Sequence, residues 1–354
     1  MTKPRRRNPQ TKMTYWIDRA EPRQTYPQQW HEYNLSQTSE KLMFMDMLRE
    51  LSGYLEVKKS TGRGRPSLNV QEMVYCMGLL IYCGKSSRRT ISELHISKDR
   101  HLISQVPHFN SILNHFNEKS LSKKLQALIT LSSMPLKCVE KDFAVDSTGF
   151  TTSVFGRWFD HKWGKKNDHR LWRKAHVMTG VKTNIITSIE VTKGTSADIN
   201  EFPTLVEKTS EQFQLREVSA DMAYTSRENM NLVSSKGAIP FIPFKSNATG
   251  NSKGSMVWKR MFQYFQEHYD EYMQHYHKRS NVETTFSMIK RKFGMHLRSK
   301  SDTAQENEIL CKALCHNIVV LIHETFELGL NTEFEPHLSA INCAALHSAQ
   351  KTLN

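Results

Sequence analysis

Cysteine is scarce in this chain, and its spacing marks no structural zinc site. The 354 residues include six Cys, and none of them forms the closely spaced Cys-x-x-Cys pairs of zinc-binding segments. Cys311 and Cys315 lie one helical turn apart in an apolar segment, where we expect them to pack in a core. The pattern therefore predicts a reduced, cytoplasmic protein.

Long apolar runs are also absent. The chain opens with MTKPRRRNPQ, and no apolar run follows this basic start, so a signal peptide is not predicted. The longest apolar stretch, MVYCMGLLIYC at residues 73–83, is too short to cross a bilayer as a helix. We therefore expect no membrane partner.

Acidic residues are outnumbered by basic ones. The chain has 49 Lys and Arg against 35 Asp and Glu, which gives a formal net charge of +14 at pH 7. This balance favours a polyanionic partner, most often a nucleic acid. A soluble basic protein without such a partner has the same composition, so charge alone does not separate the two.

The N-terminal part of the chain shows helical patterns. Residues 1–35 are polar, basic and rich in Pro and Gln, which is typical of a loosely held arm. Residues 38–57 and 70–83 are predicted helices, and 86–118 is predicted to contain two or three short helices. A helix-turn-helix that reads DNA and a plain helical bundle both fit the last segment.

From about residue 137 the pattern changes to alternating strands and helices. The predicted order is β-β-β-α-β-α-β-α, a hairpin sheet followed by right-handed crossover units. The strands are predicted at 138–148, 172–183, 184–194, 216–224 and 238–246, and the helices at 197–213, 226–237 and 276–294. Asp198 and Glu201 are predicted to form a capping box at the start of the first of these helices.

Two acids lie where strands end. Asp146 ends the first strand in FAVDSTGF, and Asp221 ends the fourth in VSADMAY. Acids are disfavoured in strands, so each needs a reason to be there. A parallel crossover can place the first and fourth strands side by side, which brings both carboxylates to the same end of the sheet.

A third acid lies in a basic helix, YHKRSNVETTFSMIKRKFG at 276–294, which Gly294 closes. At about 100° per residue, two adjoining stripes run along it. The apolar stripe is Val282, Phe286, Ile289 and Phe293, and the polar stripe is Tyr276, Arg279, Glu283 and Lys290. The polar stripe is either a solvated face with an Arg279–Glu283 pair or a face that overhangs the two aspartates.

Three clustered carboxylates repel one another unless a cation neutralises them. Oxygen ligands of this kind suit Mg²⁺ or Mn²⁺. Two such ions activate a water or a 3′-hydroxyl and stabilise the leaving oxygen of a phosphodiester. Arg279 and Lys290 would then hold phosphates beside the metals.

The chain resembles the DDE transposases of bacterial insertion sequences, over about residues 137–325. One large group of these proteins carries Tyr, two residues, Arg, three residues, Glu, six residues and Lys around its catalytic Glu. The residues that match this spacing at every position are Tyr276, Arg279, Glu283 and Lys290. DSTGF resembles the family's first-Asp strand. DMAY resembles its second-Asp motif, although Ala223 stands in place of the usual Gly.

The resemblance implies an α/β fold, an RNase H-like mixed five-stranded sheet with flanking helices, preceded by an all-helical N-terminal domain. The implied domains are a basic arm at 1–35, a helical DNA-end-binding domain at 36–136, the catalytic domain at 137–325 and a C-terminal tail at 326–354. Some relatives insert a β-rich domain between the second Asp and the Glu. The 62 positions from Asp221 to Glu283 leave no room for one.

The resemblance also implies catalysis by Asp146, Asp221 and Glu283, with two Mg²⁺ or Mn²⁺ ions per site. The candidate DNA-binding residues are Tyr276, Arg279, Lys290, Arg291, Arg63, Arg65, Lys165 and Lys166. Lys165 and Lys166 lie in a basic segment, 156–174, whose Trp residues either grip DNA or pack over the sheet. Its histidines, and His176 after it, are expected to be ordinary polar or packed residues.

The implied activity is metal-dependent cleavage of transposon ends and strand transfer to target DNA, by phosphodiester hydrolysis and transesterification. The expected partners are terminal inverted repeats and target DNA. One active site per end implies a homodimer on DNA, and the expected location is the nucleoid in a bacterial cytoplasm. Two alternatives stay open, a catalytically inactive DNA-binding derivative of a transposase and a standalone RNase H-like metal nuclease.

Overall fold

The computed structural model describes residues 29–57, 68–152, 172–340 and 346. Four of the candidate DNA-binding residues, Arg63, Arg65, Lys165 and Lys166, lie outside the described residues. So does most of the predicted N-terminal arm. Every structural statement below concerns the described part of the chain.

The part of the chain before the sheet is helical, as predicted. Its helices are α1 (Trp30–Gly53), α2 (Val70–Cys83), α3 (Ser87–Asp99), α4 (Phe109–His115) and α5 (Leu121–Ser133). α1 begins at Trp30, inside the span predicted as an arm. The Asn69 side chain caps α2, and the Ser86 side chain caps α3. Gly84 ends α2 at φ 62°, a backbone conformation that favours glycine.

The sheet is the mixed five-stranded sheet that the sequence predicted. Its strands are β1 (Asp142–Thr151), β2 (Trp172–Gly180), β3 (Ile186–Lys193), β4 (Glu217–Ala220) and β5 (Ile239–Phe241). The strand order is β3-β2-β1-β4-β5. β1, β2 and β3 pair antiparallel, whereas β4 runs parallel to β1 and β5 parallel to β4. The predicted parallel crossover between the first and fourth strands is therefore confirmed.

The remaining helices flank this sheet. They are α6 (Phe202–Ser210), α7 (Arg227–Ser235), α8 (Met256–Glu267), α9 (Tyr269–His277), α10 (Ser280–Phe293) and α11 (Asp302–Glu327). The prediction of one helix over 276–294 is wrong at its start, because α9 ends at His277 and Tyr276 lies on it. The Lys278 ammonium, in the intervening turn, donates to Asp142 and Glu217 at the start of β1 and β4. These bonds fix the turn against the sheet.

Apolar side chains cover both faces of the sheet. On one face, β1 and β4 pack against α6, α7 and α8. On the other face, the sheet packs against α10 and α11, and this core continues into the N-terminal helices. α11 is long and apolar enough to cross a membrane by composition, but 78% of its apolar window is buried inside the protein. It is therefore the central core helix, and α1, α2 and α5 pack around it.

A buried charge network joins the N-terminal helices to α10. Glu40 on α1 accepts hydrogen bonds from Tyr82 on α2, at 2.6 Å, and from Lys292 on α10, at 2.6 and 2.7 Å. His323 on α11 lies 3.7 Å from the same carboxylate. Burial opposes the charge of Glu40, but these neighbours outweigh it and lower its pKa to about 2.

Replacing Glu40 by Gln should remove this charge pairing and destabilise the protein. A carboxyl whose folded pKa is lowered stabilises the fold above its unfolded pKa and loses that contribution as the pH falls. We expect a loss of about 1–3 kcal/mol in the free energy of unfolding at pH 7. The loss should disappear as the pH falls from 4.5 towards 2.

Urea unfolding across this pH range measures the effect. Glu56→Gln, at an exposed carboxylate near the end of α1, is the control and should change little. A loss of equal size at low and neutral pH would show that Glu40 stabilises the fold by packing alone.

Candidate active site

The two aspartates lie where β1 and β4 separate. The prediction that Asp146 ends the first strand is wrong, because β1 continues to Thr151 through its pairing with β2. The last parallel pair between these strands is Val145 with Ala220. Asp146 and Asp221 are the next residue on each strand. β4 ends there, whereas β1 continues to Thr151 beside β2. The crossover predicted from sequence therefore brings the two aspartates to neighbouring positions at the open end of the sheet.

Local hydrogen bonds orient both carboxylates. Asp146 Oδ1 accepts a hydrogen bond from the backbone N–H of Ser147 at 2.8 Å. Asp221 Oδ1 accepts one from the backbone N–H of Met222 at 2.7 Å, at the start of a short 3₁₀ helix. The Asp146 side chain is 17% exposed. Each acid keeps further oxygen lone pairs for another partner.

Arg279 brings the third acid to this place. Its guanidinium donates to Asp146 Oδ2 at 2.5 Å and to Glu283 Oε1 at 2.7 Å. The Glu283 side chain is 60% exposed, so its carboxylate is open to solvent. The i, i+4 pair of the simpler interpretation exists, and the same Arg279 also joins Glu283 to Asp146.

The charges of the site act on one another. Burial raises the pKa of Asp146, and the negative charges of Asp221 and Glu283 raise it further. Arg279 and the N–H of Ser147 oppose this rise, but the net direction is upward. Burial is thus the main cause of the raised pKa of Asp146, and Arg279 acts as the counter-ion that opposes it.

The Lys290 side chain, on α10, contacts β1 on the same face of the sheet as Asp146. Its ammonium donates to Thr148 Oγ1 at 2.6 Å, two residues beyond Asp146, and lies 5.6 Å from the centre of the Phe150 ring. Burial lowers the pKa of Lys290. The Tyr276 ring centre is 5.9 Å from the Arg279 guanidinium carbon. Arg291 is exposed on the outer side of α10.

The predicted capping box is wrong, and the structure gives Asp198 another place. Its carboxylate pairs with Lys174 on β2 and accepts a hydrogen bond from Ser147 Oγ at 3.2 Å. Asp198 begins a 3₁₀ turn, and neither Asp198 nor Glu201 caps a helix through its side chain. The Asp198 carboxylate contacts the Lys174 ammonium and the Ser147 hydroxyl. The charged ammonium is a stronger hydrogen-bond donor than the backbone N–H that a helix cap would offer.

The sequence reading missed this second group beside the site. Its members are Ser147, Lys174, His176, Asp198 and Tyr224. A signal was available in β2, where Lys174 and His176 alternate with the buried Ala175 and Val177. Two ionisable residues on one face of a strand need partners there. Because β1 pairs with β2, the same face of β1 was a place to look for them, and Ser147 lies there opposite His176.

The donor set fits a hard divalent cation. Three carboxylates supply oxygen ligands only, and the Arg279 guanidinium already lies between Asp146 and Glu283 as a positive charge. Within the described ranges, no three His, Cys, Asp or Glu side chains converge tightly enough to hold an ion as they stand. Asp146, Asp221 and Glu283 are the residues that would hold such an ion, and Arg279 lies between Asp146 and Glu283.

Comparison with known proteins finds a matching family and a matching curated relative. The model of the family described as transposase DDE domain matches residues 137–318. A protein of Archaeoglobus fulgidus, described as a probable transposase for insertion sequence element ISA1214, is 23% identical over 303 residues. That alignment covers 85% of this chain and 90% of the relative. No solved structure matches the chain.

Replacing Arg279 by Gln should leave three acids without their counter-ion. Asp146, whose pKa is already raised from 3.8, would then be harder to ionise, so the loss of stability should be greatest at neutral pH and small near pH 3, where Asp146 is protonated with or without Arg279. We expect a loss of about 1–3 kcal/mol at pH 7, measured by urea unfolding in EDTA. Arg291→Gln, on the same helix, is the control. Equal losses at both pH values would contradict a charge role for Arg279.

Proposed function

The chain belongs to the transposase DDE domain family, and we propose that its acidic site cleaves transposon ends and joins them to target DNA. The observation that carries this proposal is the meeting of three acids. Asp146 and Asp221 follow the last pair of two parallel strands, and Arg279 ties Glu283 to Asp146. The chain is accordingly a DNA transposase, and its site residues and mechanism are the proposal.

Asp146, Asp221 and Glu283 would hold Mg²⁺ or Mn²⁺, two ions per site. When bound, these ions activate a water or a 3′-hydroxyl and stabilise the leaving oxygen. The protein would hold Asp146 on β1 and Asp221 directly after β4. It would supply the third ligand, Glu283, from an exposed face of α10. Val282 and Phe286 are buried and anchor α10 to the core. The exposed Glu283 side chain can therefore move its carboxylate while the helix stays in place.

Arg279 and Lys290 would bind DNA phosphates. A phosphate that enters the cleft offers Arg279 the bidentate partner that guanidinium prefers. Arg279 would then leave Asp146 and Glu283, which frees both carboxylates for metal. Lys290, on α10 beside Thr148 of β1, would contact the next phosphate. Tyr276 would lie on the same side of the path, and Arg291 would contact DNA from the outer side of α10. The spacing of Tyr276, Arg279, Glu283 and Lys290 supports the proposal that the chain belongs to the group with the Tyr-Arg-Glu-Lys signature.

End recognition requires a surface that reads bases, because phosphate contacts carry no sequence information. α2 and α3 are separated by Gly84, Lys85 and Ser86 only, a short Gly-containing turn of the kind found in helix-turn-helix units. Arg298 donates to the carbonyl oxygens of Gly84 and Lys85, which holds the turn against the segment after α10. We assign base reading to α3.

The outer face of α3 suits a major groove. The exposed residues on it include Arg88, Arg89, Ser92, His95 and Ile96. The two arginines lie at the N-terminal end, from which a recognition helix contacts base edges. Ile96 offers an apolar contact for a thymine methyl group. The region 36–136 would thus act as the end-binding domain, with residues 1–35 adding phosphate contacts.

Two ends must be held at once, and one site per end calls for two copies of the chain on DNA. We therefore propose a homodimer in the DNA complex. The proposed location is cytoplasmic, at the nucleoid. The inactive and nuclease-only alternatives are separated from this proposal by the first experiment below.

Replacing Glu283 by Ala should abolish cleavage and strand joining while leaving end binding intact. The expected loss is at least about 10²-fold, because one ligand of the charge-stabilising ions is gone. Labelled end DNA with Mg²⁺ separates joining, cutting alone and binding alone. Calorimetric titration with Mn²⁺ gives a second readout. Glu228→Ala, at an exposed carboxylate on α7, is the control. Normal strand joining by Glu283→Ala would remove it from the site.

Lys290→Ala and Arg89→Ala should weaken DNA binding in different ways. Affinity falls as salt rises, and loss of a phosphate contact at Lys290 should make the plot of log affinity against log salt less steep by about 1, for any DNA sequence. Loss of a base contact at Arg89 should cost about 1–3 kcal/mol on terminal DNA and little on scrambled DNA. Full-length protein is titrated with both DNAs, and thermal melting checks the folded fraction. Unchanged discrimination by Arg89→Ala would move end recognition away from α3.

A further inference from the structure

We propose that Asp198 is a positioning residue of the active site, which orients Asp146 through Ser147. The proposal rests on the assignment of Asp146 as a metal ligand. Three bonds in series carry it. Lys174 pairs with Asp198 Oδ1, Ser147 Oγ donates to Asp198 Oδ2 at 3.2 Å, and the Ser147 backbone N–H donates to Asp146 Oδ1 at 2.8 Å.

The two sides of β1 have different tasks. Successive residues of a strand point to opposite faces of the sheet. Asp146 reaches Arg279 on the α10 side, and Ser147 reaches Asp198 on the side of α6. Asp198 therefore acts from behind the strand and leaves the cleft free for DNA.

This part of β1 needs support from behind. Its pairing with β4 ends at Val145, and from Asp146 to Phe150 the described strand pairs with β2 alone. A strand that is bonded on one side is easier to displace than one inside a sheet. The bond from Ser147 to Asp198 holds the first unsupported residues, where Asp146 must keep its angle.

Two basic side chains, Lys174 and His176, approach Asp198 Oδ1, and Lys174 is the closer of the two. His176 is 0% exposed, and its Nδ1 lies 3.6 Å from Asp198 Oδ1 without a hydrogen-bond partner. Burial lowers the pKa of His176 to about 4, so the imidazole is neutral at pH 7. The ammonium of Lys174, with its side chain 25% exposed, pairs directly with a carboxylate that is 21% exposed.

The Lys174–Asp198 pair lies close to both aspartates of the site. The Tyr224 hydroxyl is buried beside Ser147. Burial raises the pKa of Tyr224, and the charges of Asp198, Asp146 and Asp221 raise it further, whereas the Ser147 hydroxyl opposes the rise. Asp198 thus lies in the field of both catalytic aspartates. Lys174 cancels its charge, so Asp198 supplies a hydrogen-bond acceptor without adding net repulsion.

Manganese binding to the full-length protein without DNA tests the proposal. Asp198→Ala and Ser147→Ala should each weaken the affinity for Mn²⁺ by about 10–100-fold, the range for residues that orient a metal ligand. The double variant should be no weaker than the single ones, because both remove the same contact. Asp198→Asn keeps an acceptor for Ser147 and should recover much of the affinity. Glu201→Ala, three residues away, should bind as the wild type does.

Three outcomes would overturn the proposal. Wild-type affinity in Ser147→Ala, with Asp198→Asn as weak as Asp198→Ala, would make Asp198 a direct ligand. A lower urea midpoint with unchanged Mn²⁺ affinity would make it a structural residue. Asp146→Asn is the reference variant. If it binds Mn²⁺ as well as the wild type, the site assignment itself fails, and the positioning role fails with it.

Discussion

The contact of one guanidinium with two carboxylates organises the active end of this molecule. Arg279 joins Asp146, on a strand of the sheet, to Glu283, on a helix that packs over it. Without a cation in this place the acids repel one another, and burial adds to that cost. The same contact gives the proposed metal site a positive charge of its own, because the Arg279 guanidinium holds Asp146 and Glu283 together.

The sheet determines where these groups can meet. β1 and β4 part after Val145 and Ala220, and Asp146, Ser147 and Thr148 of β1 lie directly beyond that point. Asp146 and Thr148 face α10, whereas Ser147 faces Asp198 and Lys174. The strand therefore separates a cleft side, which is charged and open, from a supporting side, which is paired and mostly buried.

The sequence was sufficient for what periodicity and local chemistry control. The apolar stripe of α10, the ends of α2 and the order of the strands were predictable because each depends on residues close in the chain. The break at Lys278 was not, since the bonds that cause it come from Asp142 and Glu217. Asp198 was misread for a related reason. Its short-range pattern fits a cap, but Lys174 and Ser147 come within reach only after β1 and β2 pair. The metal ligands and DNA contacts themselves remain predictions.

The burial of α11 among α1, α2, α5 and the sheet has a mechanical consequence. A single core leaves no hinge between the helices that we assign to base reading and the strands that carry the aspartates. Arg298 strengthens this by fastening the turn before α3 to the segment after α10. On these assignments, the rigid dimensions of the protein would set the number of base pairs between the sequence that α3 reads and the bond that is cut. Insertions in the DNA between those two points should be tolerated poorly, whatever their sequence.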